Sequence, residues 1–173
     1  MKNRGRGSKA KGSNFERDCC RALSLWVSHG KATDLFWRSA MSGGRATVAH
    51  RKGVSVRQAG DITAVTPEGH SLTDMFYVEC KFYKDLNLTS FFLSEKGKLA
   101  KFWAETQKQA AIYKRQPMLI AKQNGTHVLV VVSYGHLDSV IRRLKSNGPC
   151  IYGWGYEVWL LDKVLKIEYH NSV

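Results

Sequence analysis

The stretch Tyr77-Val78-Glu79-Cys80-Lys81-Phe82-Tyr83 contains a carboxylate and an ammonium group within a run of residues that favour β-strands. Side chains alternate across a strand, so Glu79 and Lys81 share one face and Cys80 lies on the other. Burying charged groups on an otherwise apolar strand is unfavourable unless they find partners. The two charges are therefore either an ion pair on an edge strand or part of a site that acts on a ligand.

A second carboxylate, Asp61, stands at the start of another run of strand formers, Ile62-Thr63-Ala64-Val65. Residues 67–70 have the composition of a turn, so we predict strands over 61–66 and 75–83 that pair as a hairpin and bring Asp61 beside Glu79. Two carboxylates and the backbone carbonyl of Cys80 would supply oxygen ligands for Mg²⁺ or Mn²⁺. Lys81 beside such a cation would orient a water or help to deprotonate it, and would offset phosphate charge.

The composition predicts a basic protein that binds a polyanion. The chain of 173 residues has 27 Lys and Arg against 14 Asp and Glu, a net charge of +13. This charge favours nucleic acid as the partner, and a merely soluble basic protein is the alternative. The histidines and the four cysteines lack the spacing of a zinc site, so we expect buried free thiols. No apolar run is long enough to span a membrane, and we expect a location in the cytoplasm of a bacterium, an archaeon or a phage-infected cell.

Basic residues are concentrated in two segments that we predict to contact DNA. The first is a flexible arm over 1–13, ahead of a single domain over 14–173, and a solvated tail is the alternative interpretation of the arm. The second is a long loop that follows a short predicted strand at 35–38 and runs to Gly60. Between them, Ser13 or Asn14 caps a predicted helix that runs to about His29 and carries Glu16 in its first turn. The candidate nucleic-acid contacts are Arg4, Arg6, Lys9, Lys11, Arg38, Arg45, Arg51, Lys52 and Arg57.

The rest of the chain alternates between helix and strand patterns. Gln107 follows Trp103 by four residues and is expected to share its face of a helix, where the amide would orient Lys81 or a phosphate. We predict a loop or short strand over 88–93, a helix over 97–115, a buried strand over 118–121, a turn at 124–125, a strand over 127–133, a helix over 137–144 and mostly strand over 157–167.

The ordered set of these residues resembles the PD-(D/E)xK nuclease superfamily, and within it the Holliday junction resolvases of archaeal and phage type. The matching stretches are residues 14–18, residues 38–43, Gly60-Asp61-Ile62, Glu79-Cys80-Lys81, and the predicted helix and strand over 103–122. Gly60 stands where the superfamily name has proline.

The resemblance implies an α/β fold with a restriction-endonuclease-like core, in which a mixed central β-sheet is flanked by α-helices and carries a metal-dependent site at its edge. It implies catalytic roles for Glu16, Asp61, Glu79 and Lys81. A serine in the loop after the first helix also matters in such resolvases, and Ser42 or Ser39 is the candidate. Such resolvases act as two-fold dimers on branched DNA.

Three functions are compatible with this pattern. The first hypothesis is a metal-dependent endodeoxyribonuclease that resolves Holliday junctions. A restriction- or repair-type endonuclease of duplex DNA with the same fold is the second, and a non-catalytic nucleic-acid-binding module is the third. Carboxylates close to DNA repel phosphate, so the acidic set of Glu16, Asp61 and Glu79 argues against the module.

Overall fold

The structure, a computed structural model, describes residues 4–39, 59–141, 149 and 151–170. Within those ranges the helices are α1 (Arg4–Val27), α2 (His70–Thr73), α3 (Leu88–Ser94), α4 (Lys98–Ile112) and α5 (Leu161–Val164), with a 3-10 turn at His136–Ser139. The strands are β1 (Phe36–Arg38), β2 (Ile62–Ala64), β3 (Phe76–Tyr83), β4 (Gln116–Gln123), β5 (Val128–Ser133), β6 (Ile151–Gly153) and β7 (Tyr156–Leu160). No helix in the described part of the chain has the length and apolar character needed to cross a bilayer.

The central sheet has five strands in the order β3-β4-β5-β7-β6. β3 and β4 run parallel because α4 carries the chain back between them, and the other neighbours are antiparallel. β3 is therefore an edge strand of a mixed sheet. β1 and β2 form a separate antiparallel pair, which the Asp61 amide joins to β3 by donating to Val78 O at 2.8 Å.

Two apolar layers cover the faces of the sheet. On one face, Val78 and Cys80 of β3 pack in the cluster that contains Leu23 of α1. On the opposite face, α3 and α4 pack over Leu119 and Val131. This arrangement confirms the predicted α/β fold with a mixed sheet between helices. It also leaves Glu79 and Lys81 half-buried on the face of β3 that α4 covers.

The predicted hairpin is wrong. β2 pairs with β1, β3 pairs with β4, and α2 lies between β2 and β3 in the chain. β2 has only three residues, and its ladder partners are those of the strand predicted at 35–38. Asp61 still reaches β3, because its amide donates to Val78 O and its carboxylate accepts from the Cys80 amide, without forming a ladder.

The first helix begins earlier than predicted. α1 starts at Arg4, so the backbone over most of the predicted flexible arm is helical. Lys11 is held in place, because its Nζ donates to Asn124 Oδ1 at 2.5 Å and lies 3.7 Å from the centre of the Phe82 ring. The division into an arm and a single domain stays a prediction.

Two other segments also differ from the predictions. Residues 88–94 form a helix instead of a loop or strand, and this helix buries Phe91 while the side chains at 89, 90 and 93 are exposed. The strand predicted over 157–167 ends at Leu160, and α5 begins at Leu161. In the segment predicted as a helix over 137–144, a 3-10 turn ends at Ser139, and residues 142–144 lie outside the described part. The predicted turns at 67–70 and 124–125 and the strands over 118–121 and 127–133 are confirmed.

Candidate functional site

Asp61 is fixed to the outer edge of β3 by its backbone and its side chain. Its amide donates to Val78 O at 2.8 Å, and its Oδ2 accepts a hydrogen bond from the Cys80 amide at 2.9 Å. Gly60 makes this approach possible, because it has φ +83° and a Cβ there would lie 2.4 Å from Val78 O. Proline, whose φ is close to −65°, does not fit this backbone, so the glycine in place of proline has a structural reason.

Glu79 and Lys81 complete a charged cluster with Asp61. The Lys81 ammonium forms an ion pair with Glu79 Oε1 and lies 4.0 Å from Asp61 Oδ2. The second carboxylate oxygen of Glu79 accepts a hydrogen bond from Tyr77 Oη at 3.2 Å. The lysine charge therefore lies between two carboxylates that belong to different parts of the chain.

Burial and mutual repulsion set the protonation of this cluster. Burial, followed by the neighbouring Glu79 carboxylate, raises the pKa of Asp61 to about 7. Burial acts to lower the pKa of Lys81, but the attraction of Glu79 and Asp61 outweighs it, so the pKa of Lys81 lies above its usual value. The Lys81 side chain is consequently a cation at neutral pH.

Glu16 approaches the cluster from α1. It is half-buried, and its Oε2 accepts a hydrogen bond from Arg38 Nε at 2.5 Å in an ion pair. Its charge contributes to the raised pKa of Asp61, after burial and Glu79. Next to Arg38, the buried Ser39 donates its amide to Asp61 O at 2.8 Å. The structure thus brings together four of the predicted catalytic residues: Glu16, Asp61, Glu79 and Lys81.

Gln107 does not join this cluster. It is exposed although Trp103 is buried, and none of the hydrogen bonds found among the described residues connects it to β3. The part of α4 over β3 is marked by Phe102, whose ring centre lies 5.7 Å from Lys81 Nζ. It is also marked by Tyr113, which stacks on Tyr77 with the ring centres 5.8 Å apart.

Gln109 is the glutamine that shares the Phe102–Tyr113 side of α4. It is half-buried, and it lies seven residues after Phe102 and four before Tyr113, which are helical spacings for one face. The prediction of Gln107 used Trp103 as its reference, and Trp103 lies at the margin of the face that meets β3. The spacing of Gln109 to the aromatic residues at 102 and 113 is a sequence signal that the Trp103 reference does not use.

Comparison with protein families agrees with this geometry. Residues 7–154 match the family model described as "Phage putative PDDEXK endonuclease". The chain belongs to this phage PDDEXK endonuclease family. The resemblance to the PD-(D/E)xK superfamily and the prediction of a nuclease are confirmed, and DNA is the substrate class that the family implies. Searches of curated proteins and of solved structures found no match.

The oxygen donors of this PDDEXK chain fit a hard divalent cation. Val78 O and the Cys80 amide both point to the outer edge of β3, where they meet Asp61, so the Cys80 carbonyl shares that edge. The described residues contain no cluster of three or more His, Cys, Asp and Glu side chains suited to a metal. Two carboxylates, from Asp61 and Glu79, plus one carbonyl are nevertheless a donor set of the kind that Mg²⁺ and Mn²⁺ accept. The Lys81 ammonium between the carboxylates shows that this space attracts positive charge.

Several predicted DNA contacts of the PDDEXK chain fall outside the described residues. The predicted contacts Arg45, Arg51, Lys52 and Arg57 lie between 40 and 58, as does Ser42, which was predicted as a catalytic serine. Nothing is described of the side chains of Arg4, Arg6 and Lys9. Of the remaining two contacts, Arg38 pairs with Glu16, and Lys11 lies against Phe82 near the end of β3. Cys19, Cys20 and Cys80 are buried free thiols, as expected for three of the four cysteines.

Proposed function

We propose that the protein is a divalent-cation-dependent endodeoxyribonuclease that resolves Holliday junctions or related branched DNA. The observation that carries the proposal is the position of the Lys81 ammonium beside both the Asp61 and the Glu79 carboxylates at the outer edge of β3. An ion pair that served stability alone would need only one of the two acids.

The proposed roles follow from protonation and position. A bound Mg²⁺ or Mn²⁺ would polarise the scissile phosphate and lower the pKa of a water. Asp61 and Glu79 would hold the cation together with the Cys80 carbonyl, and Asp61 would have to be deprotonated to do so. Since Lys81 is protonated at neutral pH, we assign it the stabilisation of developing negative charge and the placement of the attacking water, instead of proton abstraction.

The neighbouring residues support these roles. Glu16, neutralised by Arg38 when no cation is bound, would hold a cation-bound water once DNA phosphate draws the arginine away. Gln109, or Gln107 as first predicted, would orient Lys81 or a phosphate from α4. Ser42 is retained as the candidate loop serine.

Branched DNA is proposed because residues 14–18 and 38–43 resemble the resolvases. Their two-fold symmetry extends the proposal to a homodimer that cuts opposite strands of a junction. The net charge of +13 supplies the long-range attraction that any DNA substrate requires. A bacterial or archaeal cytoplasm, or that of a phage-infected cell, is the proposed location.

A cleavage panel tests the function. The full chain is incubated with labelled four-way junctions, linear duplex and single strands, with Mg²⁺, with Mn²⁺ and with EDTA. We expect junction cleavage with either metal and none with EDTA. Asp61→Asn and Glu79→Gln should abolish it, and Lys81→Met should slow it by at least about a hundredfold.

Asp162→Asn is the matched control, because it neutralises an exposed carboxylate on α5 away from the cluster. It should cut as fast as the parent. Parent-like cutting by Asp61→Asn or Glu79→Gln would refute the assigned site. Preference for linear duplex would select the restriction- or repair-type alternative, and metal-independent binding without turnover would select the binding module.

A further inference from the structure

A pocket opens between α1 and β1, beside the carboxylate cluster. Its volume is about 350 Å³, within the range of small-ligand sites, and it is open to solvent. The walls include Arg17 and Arg21 from α1, and Trp37 and Arg38 from β1. The nuclease roles described above use Arg38 alone of these residues.

Trp37 supplies an exposed flat apolar surface at this pocket. Its side chain is 65% exposed, although β1 is tied to β2 through the register Trp37↔Thr63. Among the described residues no aromatic ring stacks on the indole. A large aromatic group held on a paired strand and left in water provides a ready surface for a planar ligand, because stacking removes its apolar face from solvent.

The charge around Trp37 indicates an anionic ligand. Arg17 and Arg21 are both exposed and lie four residues apart on α1, a spacing at which like charges destabilise a helix. Arg17 donates to the neutral Asn14 at 3.0 Å, and within the described ranges neither Arg17 nor Arg21 takes part in an ion pair. Asp34 is the acidic side chain in the pocket wall, against three arginines. A planar ring flanked by negative charges is the chemistry of a nucleotide.

The position of the pocket connects it to the site. Arg38, next to Trp37, binds Glu16, and Ser39 donates its amide to Asp61 O. Ser39 is two residues after Trp37, so a DNA strand that follows β1 from the indole would reach the edge of β3 that Asp61 occupies. Bases in a continuous duplex are already stacked on each other, so only a base outside such a stack can use the indole.

We propose that this pocket, the Trp37 pocket, receives an unpaired base of the DNA substrate, which stacks on the indole while its flanking phosphates contact Arg17 and Arg21. The inference rests on the proposed function and specifies the substrate further. The enzyme recognises DNA with an unpaired or unstacked base next to the bond that it cuts.

The test measures binding without cleavage. Duplexes with one unpaired 2-aminopurine, and fully paired duplexes with 2-aminopurine at the same position, are titrated with the full chain in EDTA. The parent should change the fluorescence of the unpaired probe and bind it more tightly. Trp37→Ala should weaken binding of the unpaired probe by roughly ten- to a hundredfold, with little change for the paired duplex. Trp37→Phe should retain most of the preference.

Trp154→Ala is the matched control, because Trp154 is 68% exposed but lies between β6 and β7. It should bind both probes as the parent does. Arg21→Gln should reduce the salt dependence of binding by about one unit of logarithmic slope. Melting curves on each variant confirm that the fold is retained, as expected for exposed side chains.

The outcomes separate this inference from the proposed function. If Trp37→Ala keeps parent affinity for the unpaired probe, or Trp154→Ala loses it equally, the Trp37 pocket is refuted even when the parent cleaves junctions with Mg²⁺. If the parent cleaves no DNA but the Trp37-dependent preference is present, the proposed nuclease function fails and the pocket stands.

Discussion

Gly60→Ala is the most direct test of how the chain holds Asp61 against β3. Gly60 has φ +83°, and an added Cβ would lie 2.4 Å from Val78 O, which belongs to strand backbone. Moving an L-residue into the left-handed region costs about 1–2 kcal/mol. Relieving the close approach to a strand carbonyl adds about 1–3 kcal/mol. We expect the free energy of unfolding to fall by about 2–5 kcal/mol, which lowers the melting temperature by roughly 5–15 °C for a chain of this size.

Gly125→Ala is the matched control for the backbone conformation. Gly125 has φ +72° in the turn between β4 and β5, and no atom lies within 4 Å of a Cβ added there. It should lose only the conformational part, about 1–2 kcal/mol. Urea unfolding followed by tryptophan fluorescence measures both variants, and cleavage of a junction reports on the position of Asp61. Equal destabilisation of the two variants, or parent-like cleavage by Gly60→Ala, would show that the contact with Val78 O does not position the carboxylate.

Three further predictions concern the charged cluster and the helix above it. Asp61→Asn should raise the free energy of unfolding of the metal-free protein at pH 8 by about 1–3 kcal/mol. The pKa of Asp61 in the folded protein is about 7, above the ordinary 3.8, so ionising this buried carboxylate destabilises the fold as the pH rises. Thermal melts should show the gain at pH 8 and none near pH 4, where the carboxyl group is protonated in the folded protein. Mg²⁺ should stabilise the parent more at pH 8 than at pH 6, because Asp61 must release its proton to bind the cation, and Glu79→Gln should remove this stabilisation in the same melts; a pH-independent effect would contradict the ligand assignment. Gln109→Ala should reduce the cleavage rate more than Gln107→Ala, because residue 109 shares the Phe102–Tyr113 side of α4, and the reverse order would restore the original assignment.

The sequence predicted the existence of β3 and the two faces of its side chains, because alternation and composition are local properties. Glu79, Lys81 and Cys80 lie on the faces that a simple strand predicts. The partner of β3 is a long-range property. The turn after β2 favoured a hairpin, but α2 occupies the connection and α4 returns the chain to a parallel neighbour. Nothing in the local pattern of 61–83 encodes that choice.

Helix phase explains why the sequence leaves two candidate glutamines on α4. α4 packs both on the edge strand β3 and on the interior of the sheet, so its side chains meet the sheet in two directions. Trp103 marks the interior direction, and Phe102 with Tyr113 marks the edge. With Trp103 as the reference, the spacing points to Gln107, which is exposed; with Phe102 and Tyr113 as the reference, it points to Gln109, which is half-buried. The sequence does not indicate that α1 starts at Arg4, because the glycines at 5, 7 and 12 have low helix propensity. The contacts of Lys11 with Asn124 and Phe82 join residues far apart in the chain, so no local pattern predicts them.

The attachment of Asp61 to β3 has a consequence for how the protein behaves in concentrated solution. β3 is eight residues long and apolar over much of its length, and such an edge is a template for strand addition by another chain. Val78 O and the Cys80 amide are two central groups of those that an incoming strand would pair with, and Asp61 occupies both. The carboxylate proposed to serve hydrolysis therefore also protects the sheet from self-association. Variants that release this segment should yield aggregates during expression in addition to an inactive soluble fraction.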